Sequence, residues 1–122
     1  MPRPPSLPNL AAAALVACLA AGQAQAHAHL VKADPAANAT VSAPAALHLE
    51  FSEELATRFS TFKLTDARGN PVAVMAMPSK DAKALQARPD SRLAPGIYTV
   101  SWKAVATGDG HRAAGSYRFT VK

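Results

Sequence analysis

The chain has 122 residues, 49% of them apolar, and carries 13 Lys and Arg against 8 Asp and Glu, for a formal net charge of +5. That length suits one small domain with a single core. A single cysteine excludes an intrachain disulfide and any cluster of thiolate ligands.

The first stretch reads as a secretory signal. Arg3 is its one charged side chain, Leu10 to Ala21 form an apolar run, and Ala24-Gln25-Ala26 is the small-x-small pattern of a peptidase site. The run is too short to span a bilayer stably. A cut after Ala26 assigns residues 1–26 to the signal and 27–122 to the mature domain, with export as the destination. His27 then carries both a free α-amine and an imidazole, a ready chelate for a transition metal. Two other readings compete. Leu15-Val16-Ala17-Cys18 has the look of a lipoprotein box, and cleavage after Ala24 would also move the amine off His27. The mature part keeps 12 of the 13 basic residues and all 8 acidic ones, scattered without runs of one sign. Export speaks against nucleic acid as a partner, and spread-out Lys and Arg read as solvated surface.

Past the cut, strands and turns alternate. Leu30-Val31 opens a first strand, ended by Asp34-Pro35, and Thr40-Val41-Ser42 forms a short second one before Pro44. Leu47, Leu49 and Phe51 alternate with His48, Glu50 and Ser52, the period of a strand with one buried face. His48 then lies outward as a solvated histidine. Glu53 to Phe59 has room for a helical turn. Phe62 and Leu64 alternate again, Gly69-Asn70-Pro71 turns the chain, and Val72 to Met77 is a further strand. Ser79 to Arg92 is polar and gives no clear element. After the turn at Pro95-Gly96, Ile97 to Val105 is the strongest strand. Tyr98, Val100 and Trp102 share one face there as the aromatic heart of the core, with Ile97 and Thr99 on the other. Thr107 to Arg112 is a glycine-bearing loop, and Tyr117, Phe119 and Val121 alternate through the last strand. Many short strands with Pro and Gly turns mean a β-sandwich or barrel.

A second chemical cluster lies in the late loop, Gly108-Asp109-Gly110-His111. Residues two apart in an extended segment point to one side, so Asp109 and His111 can aim at a common point. Two imidazoles, a carboxylate and an α-amine make a nitrogen-rich set completed by oxygen. Such a set favours copper(II), and the lack of a thiolate disfavours copper(I) and structural zinc. His29 follows two residues after His27 and shares its side. A free amine with histidine in third position also matches the N-terminal copper motif in which backbone amides complete the square, and that geometry needs neither Asp109 nor His111.

These residues resemble the CopC family of periplasmic copper-resistance proteins. The likeness rests on His27-Ala28-His29-Leu30 after a signal, Asp34-Pro35, Pro44, Leu47-x-Leu49-x-Phe51-Ser52-Glu53, Gly96-x-Tyr98-x-Val100-x-Trp102, Asp109-Gly110-His111 and Gly115-x-Tyr117-x-Phe119. It covers essentially the whole mature chain. It implies an all-β, immunoglobulin-like Greek-key sandwich of about seven strands. It also implies one copper(II) ion per chain at one end, held by the amine and imidazole of His27, Asp109 and His111. Glu53 would be an outer group that hydrogen-bonds a ligand, and His29 a ligand or a neighbour.

Relatives that also bind copper(I) carry a methionine-rich loop. Here only Met75 and Met77 stand in a probable strand, where they read as packing residues. The function implied is copper(II) sequestration, resistance, or delivery to an inner-membrane transporter of the CopD type, by a monomer that does not itself insert in the membrane and is not an enzyme. The alternative is an oxidase or monooxygenase built on the same amine and imidazoles. That chemistry needs an open equatorial position, which Asp109 would fill. A purely structural adhesion-type sandwich leaves both clusters unexplained.

Overall fold

The computed structural model describes Pro2, residues 28–108 and residues 110–122. Nine strands are described: β1 (Leu30–Asp34), β2 (Thr40–Val41), β3 (Leu47–Phe51), β4 (Thr61–Thr65), β5 (Pro71–Val72), β6 (Val74–Met77), β7 (Ala84–Pro89), β8 (Gly96–Val105) and β9 (Arg112–Val121). Seven of them have four or more residues and two have only two, which agrees with the expected number. They form two sheets, ordered β1-β3-β7-β6 and β2-β9-β8-β4-β5. Every pairing is antiparallel except that of β2 with β9, which is parallel. This is an all-β sandwich, one of the two architectures that the alternating pattern allows.

The core lies between the sheets. Leu47, Leu49 and Phe51 of β3 face inward, as do Tyr98, Val100, Trp102 and Ala104 of β8, and all are buried. Removing one such large apolar side chain from water stabilises the fold by about 1.5–3 kcal/mol. Two aromatic contacts organise the interior. Phe51 meets Trp102 edge-on across the sandwich, with centroids 5.0 Å apart and an interplanar angle of 72°. Tyr98 stacks on its cross-strand neighbour Phe119 at 5.7 Å, and its hydroxyl donates to the Ala94 carbonyl at 2.7 Å. Gly115 stands opposite Trp102 in the β8–β9 ladder, and a Cβ there would lie 2.5 Å from Trp102 Cζ2. The indole occupies the space that any larger residue would need.

Four sequence expectations are corrected. Over Glu53 to Phe59 no helix forms, and only one turn closes, with Phe59 N–H donating to the Ala56 carbonyl at 3.0 Å. Leu55 N–H instead donates to the Ala82 carbonyl at 2.9 Å and Ala56 N–H to the Val105 carbonyl at 2.7 Å, so tertiary bonds displace a helical ladder. The polar stretch contains β7, which pairs with both β3 and β6. The run Val72 to Met77 is two strands, because Val72 pairs with β4 in one sheet and Val74 with β7 in the other. Met75 and Met77 are 54% and 37% exposed on the outer side of β6, so they are not core packing residues.

Candidate metal centre

Three segments meet at one end of the sandwich: the start of β1, the residues just after β3, and the β8–β9 loop. Ala28 is buried, which seats the chain against the core immediately before β1. His29 is then exposed and is paired twice with Ser52. Ser52 N–H donates to the His29 carbonyl at 2.9 Å, and His29 N–H donates to Ser52 Oγ at 3.0 Å. A short hydroxyl side chain at a strand end commonly takes up a backbone N–H in this way.

The same post-β3 segment grips the late loop. Leu55 bridges Ala106, and Thr107 N–H donates to the Glu54 carbonyl at 3.1 Å. Leu55 itself is buried and anchors the crossing. Within the loop, Gly110 N–H donates to the Ala106 carbonyl, and Ala106 N–H to the His111 carbonyl, both at 3.1 Å. Gly110 has φ +69°, a left-handed conformation in which a side chain would be strained. The glycine thus turns the chain back so that His111 directly precedes β9. The residues from Ser52 to Ala56 act as a clasp, bonded to the N-terminal segment on one side and to the loop on the other.

Of the expected site residues, His29, Glu53 and His111 are described, while His27 and Asp109 lie outside the described residues. The expectations about the signal, Ala24 to Ala26 and Cys18 also fall outside them. His29 and His111 are exposed, and Glu53 is half-buried between the two bonded residues Ser52 and Glu54. Among the described residues no three His, Cys, Asp or Glu side chains gather into a metal-binding group. The described backbone bonds connect the Ala28–His29 segment and the loop that carries His111, both through Ser52 to Ala56.

His48 is a further correction. It lies on the outward face of β3 as expected, yet it is not simply solvated. Its Nδ1 accepts from Gln86 Nε2 at 2.8 Å, and its Nε2 is 3.2 Å from Glu50 Oε1. With both ring nitrogens engaged by neighbours, it belongs to a sheet-surface network. Ser52 is the residue that sequence reasoning passed over as functional. Its signal was its place directly after the buried Leu47-x-Leu49-x-Phe51 pattern, where a hydroxyl can pair with an incoming backbone.

Comparison with known proteins gives the same fold. The CopC domain model matches residues 30–122. Copper resistance protein C of Xanthomonas campestris pv. juglandis is 40% identical over 115 residues, covering 88% of this chain and 90% of the relative. Protein YobA of Escherichia coli K12 is 41% identical over 117 residues, covering 92% of each. Among solved structures, PcoC, a methionine-rich copper resistance protein from Escherichia coli, superposes with a TM-score of 0.74 at 39% identity, covering 80% of this chain and all of that one. CopC from Methylosinus trichosporium OB3b gives 0.72 at 32% identity, covering 79% and 94%. The family model spans every described strand, and the two curated relatives are 40% and 41% identical over most of their length, so the chain belongs to the CopC family.

Proposed function

We propose that the protein is an exported, periplasmic copper(II)-binding protein that carries one ion per chain. His27 supplies amine and imidazole, His111 a second imidazole and Asp109 a carboxylate. The monomer sequesters copper for resistance or passes it to a CopD-like transporter in the inner membrane. The observation that supports this reading is the clasp at Ser52 to Ala56, which holds the N-terminal segment and the His111 loop at the same end of the sandwich. A nitrogen-rich set with one oxygen suits copper(II).

The same contacts weigh against the three-residue N-terminal motif. That motif requires the His29 amide to lose its proton and bind metal, whereas here the amide donates to Ser52 Oγ. Forming it would release the start of the first strand from its partner. Membership in a family whose relatives are named copper resistance proteins supports a carrier in preference to an enzyme.

Isolation of the protein as exported by cells tests the reading. Its intact mass should correspond to a start at His27, and metal analysis should return one copper per chain, inert toward ascorbate under oxygen. A lipidated Cys18, a start at Gln25, or sustained copper-dependent ascorbate oxidation would refute it.

A further inference from the structure

The strands of the five-stranded sheet contain no aspartate or glutamate, yet they carry Lys63, Lys103, Arg112 and Arg118. The four-stranded sheet is balanced, with Lys32 and Arg88 against Asp34 and Glu50. Basic residues scattered in sequence are thus collected by the fold.

Register places all four on one surface. Across the sheet, Arg112 stands opposite Val105, Lys103 lies between Thr61 and Ala114, Lys63 faces Ser101, and Arg118 faces Thr99. Tyr98, Val100 and Trp102 of β8 point inward, so these alternate positions point outward. All four cations are exposed. Among the described residues none of them makes an ion pair; the one ion pair is His48 with Glu50 on the other sheet. The patch spans three adjacent strands, about 10 Å, and the six-residue step from Arg112 to Arg118, about 20 Å. Its floor is made of short side chains, Thr61, Ser101, Ala114 and Ser116. Phe59, 66% exposed, lines a shallow recess with Lys103 and Arg112 at one end of the patch.

We propose that this face docks peripherally on an anionic phospholipid bilayer, with the four cations over headgroup phosphates and Phe59 in the interfacial layer. Unpaired positive charge spread evenly over a broad sheet face complements a plane of negative charge. An acidic peptide would be served better by a cleft with charges along one line. Docking would also bring the end of the sandwich that bears His111 near the membrane, since Arg112 follows it directly. The inference does not depend on copper being bound.

The test is flotation of the metal-free exported protein, of verified mass, with vesicles of phosphatidylcholine alone or with an equal part of phosphatidylglycerol. Each Lys or Arg at an anionic surface contributes about fivefold to partitioning. Binding should require phosphatidylglycerol and weaken steeply as salt rises. Lys63→Ala with Lys103→Ala should lower it about 25-fold. The charge-matched pair Lys32→Ala with Arg88→Ala on the other sheet should change it less than threefold. Near-ultraviolet circular dichroism from Trp102 would verify that each variant is folded. Equal binding to neutral vesicles, or an equal loss in both double variants, would overturn the proposal. So would retention on immobilised polyglutamate without vesicle binding, which would assign the face to an acidic protein.

Discussion

His29 and Ser52 are joined by two hydrogen bonds, 2.9 Å from Ser52 N–H to the His29 carbonyl and 3.0 Å from His29 N–H to Ser52 Oγ. The first is backbone to backbone and survives any substitution at 52 except proline, which has no N–H to donate. The second depends on the hydroxyl alone.

Ser52→Ala therefore isolates the contribution of that hydroxyl. Global stability should fall by about 1 kcal/mol, the usual net worth of one such bond. Hydrogen exchange at the His29 amide should accelerate by tenfold or more, while Val100 in the centre of β8 stays protected. If the clasp also positions the copper ligands, copper(II) affinity should weaken severalfold. Unchanged exchange at His29 would show that water or another acceptor replaces Ser52 without cost.

Gly115 should tolerate no side chain. In Gly115→Ala the new Cβ would sit 2.5 Å from Trp102 Cζ2, so the indole or the strand must shift. Overpacking of this kind costs about 1–3 kcal/mol. Gly108→Ala has no atom within 4 Å of the new Cβ and should leave stability within about 0.5 kcal/mol. Denaturant midpoints with matched slopes give both values, and equal effects would contradict the packing described.

Much of the fold is legible in the sequence, and where it fails there is a physical reason. The strands β3 and β8 announce themselves because their inward residues are large and apolar at strict period two. β7 does not, since Ala84, Ala87 and Pro89 are buried with little apolar bulk and Gln86 and Arg88 mark the exposed side. It becomes a strand because β3 and β6 flank it. Nothing local distinguishes Val72 from Val74, and the switch between sheets at Ala73 is a property of tertiary pairing. At the candidate site, the proposed ligand types and their two clusters come from the sequence alone. The clasp could not, because its bonds connect backbone groups about 23 and 50 residues apart, a relation that side-chain chemistry does not encode.

Tyr117 should make the protein sensitive to alkali. Burial, and secondarily the negative charge of Asp34, raise its phenol from 10.0 to about 12, and its hydroxyl has no hydrogen-bond partner among the described residues. Below pH 10 the group is protonated whether the chain is folded or not. Above it, the unfolded chain loses the proton first, so stability is lost as pH rises through about 12. Tyr117→Phe should flatten that decline and cost little at neutral pH, since an unpaired hydroxyl is removed. Denaturant midpoints between pH 8.5 and 11.5 would show it; an identical slope in the variant would assign alkaline sensitivity elsewhere.

Copper affinity should move with pH in the opposite sense. An α-amine and imidazoles bind metal only after losing their protons, with ordinary values of roughly 7.7–8.0 and 6.5. Apparent copper(II) affinity should therefore fall steeply from about pH 7 to about pH 5. A flat profile would indicate carboxylate-dominated binding.

The most direct test compares His111→Phe with His29→Phe. Each variant, isolated as exported and with a verified start at His27, is titrated with copper(II) against a chelator of known affinity. If the metal joins His27 to the β8–β9 loop, His111→Phe should weaken binding by orders of magnitude and His29→Phe should change it only slightly. Asp109→Ala should fall between them, because water replaces a carboxylate oxygen more readily than an imidazole. A larger loss for His29→Phe than for His111→Phe would contradict the shared site and assign copper to the N-terminal residues alone.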